Sequence, residues 1–266
     1  MGGTLYTAGA QAPFVIVNGA TGVPHSFYRR FAAHSQQAGF SVLTFDYRGV
    51  GASAPKDLRG FSAQVSDWGL MDMQAAVNFV ESTCTPDALY IVGHSAGGQQ
   101  AGMIRSPDKI AAMVTMSSQS GYWRLQGGWE KPKVWFFVTV FIPMLTRLFG
   151  YFPWRYFGGE DLPYHVALGW AAWCRSPGYL LDDARLPLHR FREFGSPVLA
   201  CSIDDDNWGT RAAVEAMMSA YPNVEFRHLI PSEYGLTRLG HMGFFRKGSE
   251  ALWDETLRWL QQAHRR

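Results

Sequence analysis

Short apolar runs alternate with longer amphipathic stretches along most of the chain. A continuous apolar run is typical of a strand that is buried on both faces, whereas apolar residues at every third or fourth position are typical of a helix. Strands are predicted at residues 14–17, 41–47, 89–92, 110–116, 197–203 and 224–230, and helices at 24–39, 67–82, from about 96, from about 210 and at 249–263. This order predicts an α/β fold, with a mostly parallel central sheet and helices on both of its faces.

The alternation breaks once, between the predicted strands at 110–116 and 197–203. Residues 121–180 hold 17 of the 39 aromatic residues, and Pro143, Pro153 and Pro163 divide the segment into short pieces. We therefore predict a core domain formed by residues 1–120 and 195–266. An aromatic-rich helical cap, residues 121–194, is predicted to be inserted after the sixth strand and to cover a pocket at the carboxyl edge of the sheet.

Composition excludes several classes of protein. The chain is 47% hydrophobic and 17% charged, with a net charge of +2 and no long basic run, so no nucleic-acid partner is expected. Cys84, Cys174 and Cys201 are scattered, and no spacing typical of a metal site occurs, so we expect no disulfide framework, no metal and no cofactor. The first residues lack the pattern of a signal peptide, which favours a cytoplasmic location.

The longest apolar run, residues 134–145, contains Pro143 and is shorter than the roughly 20 residues that cross a bilayer. Two interpretations remain open for it. A buried helix of the cap is favoured, and peripheral contact with a membrane is the less favoured alternative.

A G-x-S-x-G motif directly follows the predicted strand at 89–92 and places Ser95 between Gly93 and Gly97. In this context the motif predicts a strained strand-to-helix turn that exposes a serine hydroxyl at the sheet edge, where it can act as a nucleophile. The N–H of Ala96 would then face the group that Ser95 attacks. His94 is expected to point away from the site.

A serine nucleophile needs a base, and in this architecture the acid and then the histidine follow the serine along the chain. Asp204, Asp205 and Asp206 follow the strand at 197–203, and Asp206 is preferred because the turn after it leads into the next helix. His241 lies between two glycines after the last predicted strand, on a loop that can reach Ser95.

The loop after the first apolar strand, residues 18–22, supplies a second oxyanion donor, and the Ala20 N–H is the predicted one. A second glycine-rich segment, residues 49–54, fits the G-x-G-x-x-A pattern of dinucleotide sites. Pro55 prevents a helix from beginning there, so we interpret the segment as a structural turn in which Asp46 and Arg48 pair locally.

Together these segments resemble the α/β-hydrolase superfamily: the elbow GHSAGG, the loop NGATG, the turn DYRGVGAS, the acid turn DDDNW and the segment GHMGF. The cap sequence is similar to that of the bacterial serine-aminopeptidase-like or lysophospholipase-like branch. The resemblance implies that Ser95 is the nucleophile, His241 the base and Asp206 the orienting acid, with Ala20 and Ala96 holding the oxyanion. Members usually begin with a two-stranded hairpin, of which only TLYTAG is present here.

The expected function is a serine hydrolase that cleaves an ester or related acyl bond through an acyl-enzyme intermediate. The aromatic cap favours a small-molecule substrate with an apolar or aromatic group. Two alternatives stay open: a peptidase or acyltransferase with the same triad, and a non-catalytic, membrane-associated protein. For a peptidase, an acidic cap residue would bind the substrate amine; the candidates are Glu160, Asp161, Asp182 and Asp183.

Overall fold

A computed structural model describes residues 1–264 and contains a central sheet of seven strands, in the spatial order Gly3–Tyr6, Ser41–Phe45, Phe14–Asn18, Leu89–His94, Ala112–Met116, Val198–Ile203 and Val224–Leu229. The first strand pairs antiparallel with the third, and all other neighbours in this sheet are parallel. The strands are β1 (Gly3–Tyr6), β2 (Phe14–Asn18), β3 (Ser41–Phe45), β4 (Leu89–His94), β5 (Ala112–Met116), β6 (Tyr151–Phe152), β7 (Leu162–Pro163), β8 (Val198–Ile203) and β9 (Val224–Leu229). Strands β6 and β7 form a separate antiparallel pair. The predicted mostly parallel sheet is confirmed.

Helices cover both faces of this sheet. The α-helices are α1 (Arg29–Gln37), α2 (Gln74–Thr83), α3 (Ala96–Gln99), α4 (Glu130–Phe136), α5 (Ile142–Phe149), α6 (Tyr164–Trp173), α7 (His189–Glu193), α8 (Arg211–Met218) and α9 (Glu250–His264). Helices α1 and α9 pack on one face through Phe31 and Trp253, which share an apolar cluster with Val15 and Val17 of β2. The opposite face is covered by α2, α8 and the segment between β5 and β8. Burial of β2, β4, β5 and β8 on both faces explains their continuous apolar runs.

Three helices differ in detail from the predicted pattern. The predicted helix 24–39 begins as a 3₁₀ turn, His25–Tyr28, and continues as α1. The predicted helix 67–82 contains a π-helical stretch, Trp68–Met73, before α2. The helix after Ser95 is a single turn, α3, because the chain then tightens into a 3₁₀ turn at Ala101–Met103.

The segment between β5 and β8 holds α4 to α7 and the short β6–β7 pair. It follows the fifth strand of the chain, so the prediction that it follows the sixth is wrong. Strand β1 alone precedes the first parallel strand, β2. Val134, Val138 and Ile142 of this segment belong to the same apolar cluster as Phe14 and Ile16 of the sheet. The exact division into core and cap residues stays a prediction.

A continuous helical stretch, Glu130–Phe149, joins α4 and α5 through a π-helical turn at Phe137–Phe141. It is 20 residues long with a mean hydropathy of 1.3, and within residues 1–264 it is the one helix with the length and composition of a membrane span. Only 28% of its apolar window is buried. One side of this helix contacts the protein and the other is exposed, so the interpretation of residues 134–145 as a buried helix holds for one side only.

Candidate active site

Ser95 lies at the turn between β4 and α3 with a φ of +50°, a backbone conformation that a non-glycine residue rarely adopts. Its N–H donates to the Met116 carbonyl at the end of β5, with an N–O distance of 2.9 Å. A Cβ on Gly93 would lie 2.6 Å from the Gly98 nitrogen, and a Cβ on Gly97 would overlap the Asn18 carbonyl oxygen. The glycines of the motif are therefore required for the close approach of strand, helix and neighbouring loop.

Asp206 and His241 come from loops after β8 and β9, and their side chains meet. The Nδ1–H of His241 donates to Oδ2 of Asp206 at 2.7 Å. The other carboxylate oxygen accepts the N–H groups of Trp208 and Gly209, both at 2.9 Å. Burial raises the pKa of Asp206, but the hydrogen bond and charge of His241 and the Gly209 N–H outweigh burial and lower the pKa to about 2. Asp206 is therefore ionised at neutral pH, and the Nε2 of His241 is left to exchange a proton.

The two neighbouring aspartates have other partners. Asp205 accepts the N–H groups of Leu239 and Gly240, at 3.0 and 2.8 Å, and so fixes the backbone that leads into His241. Asp204 is exposed and contacts His228. Of the three aspartates, Asp206 is thus the one that contacts His241.

Ser95 and His241 line the same cavity, which has a volume of about 330 Å³ and lies at the carboxyl edge of the sheet. Within residues 1–264 no hydrogen bond joins the Ser95 hydroxyl to the imidazole. Such catalytic contacts are often long in the absence of substrate. Aromatic side chains form much of the wall: Trp154, Phe157, Trp170, Tyr179 and Trp208.

Ala20 also lines this cavity, but its N–H has a partner inside the protein. The Tyr28 hydroxyl accepts the Ala20 N–H at an N–O distance of 2.7 Å. In this state the Ala20 N–H is therefore engaged and is not a free oxyanion donor. Ala96 is the first residue of α3, so its N–H has no carbonyl partner within the helix.

His94 connects this tyrosine to the backbone of the loop that carries His241. Its Nε2 donates to the His241 carbonyl oxygen at 2.8 Å, which leaves Nδ1 to accept the Tyr28 hydroxyl at 3.0 Å. Burial first, and the nearby imidazole of His241 second, lower the pKa of His94 to about 3. The ring is therefore neutral at neutral pH, and one hydrogen-bonded chain runs from Ala20 through Tyr28 and His94 to His241.

This hydrogen-bonded chain was not predicted from the sequence, and a second polar contact was predicted with the wrong partner. His94 is expected from the sequence to point away from the site; its ring does not line the cavity, but it contacts Tyr28 and the His241 backbone. The predicted local pair of Asp46 and Arg48 is wrong. Arg48 binds the buried Asp72, with N–O distances of 2.7 and 2.9 Å. Asp46 instead accepts the His25 N–H at 2.6 Å.

The acidic cap residues proposed as amine binders lie outside the cavity wall. Asp161 pairs with Arg155, and Asp183 pairs with Arg185 and accepts the indole N–H of Trp173. Asp182 accepts the Gly178 N–H. Over residues 1–264 no group of three or more His, Cys, Asp or Glu side chains is arranged to hold a metal ion.

Comparison with known proteins gives the fold of this chain. A family model described as the alpha/beta hydrolase fold matches residues 12–142, whereas a search of curated proteins finds no match. Similar solved structures include a soluble variant of monoglyceride lipase from Saccharomyces cerevisiae (14% identity, 98% of this chain and 91% of that chain, TM-score 0.68). Others are the monoacylglycerol lipase of Paleococcus ferrophilus (16%, 98% and 98%, 0.64) and a thermophilic esterase from Thermogutta terrifontis (16%, 99% and 93%, 0.61). Identities this low show the fold alone, and together with the match of residues 12–142 to the family model they show that the chain has the α/β-hydrolase fold.

Proposed function

We propose that this protein is a serine hydrolase that cleaves a carboxylic ester or a related acyl bond. The observation that carries the proposal is the 2.7 Å contact between Asp206 and His241, beside a cavity that Ser95 also lines. An ionised acid, an imidazole with one free ring nitrogen and a serine on a strained turn are the three groups that this chemistry requires.

In the proposed reaction, Nε2 of His241 takes the hydroxyl proton as the Ser95 oxygen attacks the acyl carbon. Asp206 holds the imidazole in the Nδ1–H tautomer and stabilises the imidazolium that forms. His241 then gives the proton to the leaving oxygen, and the acyl group stays on Ser95. Water, deprotonated by His241, attacks this ester, releases the acid and restores the serine hydroxyl.

The oxyanion of each tetrahedral intermediate requires N–H donors from α3 and from the loop after β2. The Ala96 N–H is the first donor that we propose. The Ala20 N–H serves as the second when its bond to the Tyr28 hydroxyl breaks or is shared with the oxyanion. Losing one such donor costs about 3–4 kcal/mol of transition-state stabilisation.

The cavity supports a small apolar or aromatic acyl substrate. Its volume of about 330 Å³ is near the lower end of ligand pockets, and five aromatic side chains line it. Two of the similar structures are monoacylglycerol lipases and one is an esterase, which favours a carboxylic ester over other acyl bonds. Glu160, Asp161, Asp182 and Asp183 all lie outside the cavity wall, and the last three are engaged with other groups, which disfavours a substrate recognised by its amine.

Labelling with a fluorophosphonate and hydrolysis of short p-nitrophenyl esters test the proposal. We expect Ser95→Ala to abolish both. Ser118→Ala is the matched control, because this buried serine lies beside Gly98 in the same region and takes no part in the proposed steps. If Ser95→Ala keeps the labelling and the esterase rate of the wild type, the proposal is wrong.

A further inference from the structure

A row of large apolar side chains runs along the outer side of the helical stretch Glu130–Phe149 and faces no other part of residues 1–264. We call it the cap stripe; it consists of Trp129, Phe136, Val140, Met144 and Leu148. Trp129 is 86% exposed and Leu148 is 72% exposed. A contiguous exposed apolar face of this kind is unusual for a surface that meets only water.

The two sides of this helix are separated by residue position. Val134, Val138, Ile142 and Thr146 are buried at intervals of four. The last four members of the cap stripe lie two positions after each of them, which puts them on the opposite side of the helix. The helix is therefore apolar on both sides, because large apolar residues occupy the side that faces solvent as well as the side that faces the protein.

This packing excludes a helix that crosses a bilayer. The buried side belongs to the cluster that includes the sheet, and Arg175 donates to the Val138 carbonyl at 2.8 Å. The helix is therefore held against the protein along its length. A helix that is anchored on one side and apolar on the other can lie in the plane of a lipid surface with its exposed side immersed.

The charges on the segment Trp129–Phe149 favour an anionic surface. Lys131, Lys133 and Arg147 are exposed, and Glu130 is the one acidic residue of the segment. Basic residues beside an apolar helical face bind anionic phospholipids through charge attraction and apolar burial together. A symmetric contact between two copies would bring these basic residues against each other, which is unfavourable.

The helical stretch that carries the cap stripe also contacts the cavity wall. Phe157 is half exposed and lines the cavity wall, and its ring packs edge-to-face on Phe141 of the same helical stretch, with centroids 5.3 Å apart. A lipid surface in contact with the helix would therefore lie beside one wall of the cavity that Ser95 lines.

We propose that the cap stripe docks this protein on an anionic phospholipid surface, with the cavity wall at Phe157 next to the lipid. Anionic lipids are concentrated in the cytoplasmic leaflet, in agreement with the location predicted from the sequence. If the protein hydrolyses esters as proposed above, its substrate is then an apolar ester taken from that surface. The docking itself does not depend on the hydrolysis.

Flotation with vesicles of POPC, with and without POPG, tests the docking. We expect the full-length protein to float with POPC/POPG vesicles, and much less with POPC alone or at high salt. The double variant Met144→Asp/Leu148→Asp should lower partitioning at least about tenfold, since two apolar side chains are lost from the lipid contact. Lys131→Glu/Lys133→Glu should lower binding to POPG vesicles by a similar factor. All four residues are exposed, so both variants are expected to fold.

Phe79→Asp is the matched control, because Phe79 is an exposed phenylalanine on α2 and outside the cap. It should float like the wild type. The proposal is overturned if the wild-type protein does not float with POPC/POPG vesicles. It is equally overturned if Met144→Asp/Leu148→Asp floats to the same extent as Phe79→Asp. It is also overturned if light scattering shows a dimer that the double variant converts to a monomer, because a second copy then occupies the stripe.

Two further measurements separate this inference from the proposed hydrolase activity. Fluorophosphonate labelling of Ser95 and hydrolysis of a water-soluble ester should be within about twofold of wild type in the Asp double variant, because the stripe does not line the cavity. In the same double variant, the rate of hydrolysis of an ester embedded in POPC/POPG vesicles should decrease to the same degree as vesicle binding. Flotation without fluorophosphonate labelling would support the docking and refute the hydrolase proposal. Labelling without flotation would support the hydrolase proposal and refute the docking.

Discussion

The Tyr28 hydroxyl lies 3.0 Å from Nδ1 of His94 in the interior of the protein. Because the same hydroxyl accepts the Ala20 N–H and the far nitrogen of His94 binds the His241 carbonyl, two loops from opposite ends of the chain are joined. One carries a proposed oxyanion donor and the other carries the proposed base. We interpret Tyr28 and His94 as positioning residues for these groups.

Removing the Tyr28 hydroxyl should impair catalysis more than substrate binding. In Tyr28→Phe the Ala20 N–H and the His94 Nδ1 both lose a buried partner, so the two loops are less well fixed relative to each other. We expect kcat to fall about tenfold or more, with KM nearly unchanged, since small misplacements of catalytic groups are costly. Steady-state kinetics with a p-nitrophenyl ester measures both constants.

Tyr47→Phe is the control for this variant. The Tyr47 hydroxyl is also buried and also bonds the loop after β2, donating to the Gly19 carbonyl at 3.1 Å, but it has no contact with His94. We expect its kcat to change less than that of Tyr28→Phe. An equal loss of kcat in both variants would show that Tyr28 only supports the loop after β2 and does not act through His94. A rise of kcat in Tyr28→Phe would show instead that the hydroxyl competes with the oxyanion for Ala20.

The two adjacent aspartates should differ sharply in their effect on rate. Asp206→Asn replaces the carboxylate that orients His241, and an amide in this position favours the wrong imidazole tautomer, so kcat should fall about 10³- to 10⁴-fold. Asp205→Asn keeps an acceptor oxygen for the Leu239 or Gly240 N–H and should cost far less. Comparable losses in the two variants, measured with the same ester, would contradict the assignment of Asp206.

Local patterns account for the parts of this molecule that were predicted from the sequence. The parallel sheet follows from strands that are apolar at successive positions, and the turn at Ser95 follows from glycines that only a tight strand-to-helix connection requires. The positions of Asp206 and His241 at strand ends follow from chain order alone. Each of these inferences needs only a few neighbouring residues and the rule that parallel strands end at one edge.

The features that escaped prediction depend on contacts between distant parts of the chain. Arg48 is 24 residues from Asp72, and Tyr28 is 66 residues from His94, so neither pair leaves a periodic signal. The exposed apolar side of Glu130–Phe149 was not predicted from the sequence for a different reason. Its composition matches a buried helix, and composition does not tell which apolar side has a partner within the chain.

Gly97 should tolerate no side chain. A Cβ at this position would overlap the Asn18 carbonyl oxygen, and both residues lie in rigid backbone, so Gly97→Ala should lower the free energy of unfolding by about 1–3 kcal/mol. Gly9→Ala is the control, because a Cβ on Gly9 meets no atom within 4 Å. Thermal unfolding measures the effect, and equal melting temperatures for the two variants would contradict the close packing of the elbow.

Burial of His94 should make the stability of the fold depend on pH. Its pKa is about 3 in the folded protein and about 6.5 in an unfolded chain, so between these values only the unfolded chain takes up the proton. The stabilisation is fully present above pH 6.5 and is lost as the pH falls toward 3. This group alone should lower the free energy of unfolding by about 2 kcal/mol between pH 7 and pH 5. Urea unfolding at the two pH values measures the difference.

The variant His94→Gln isolates this contribution from those of other titrating groups. Glutamine does not titrate and keeps an N–H that can donate to the His241 carbonyl, so the decrease between pH 7 and pH 5 should be about 2 kcal/mol smaller than in the wild type. His189→Gln, at an exposed position on α7, should follow the wild type at both pH values. If His94→Gln loses as much stability as the wild type on acidification, His94 accepts a proton in the folded state. Its hydrogen bond from Tyr28 would then be broken at pH 5.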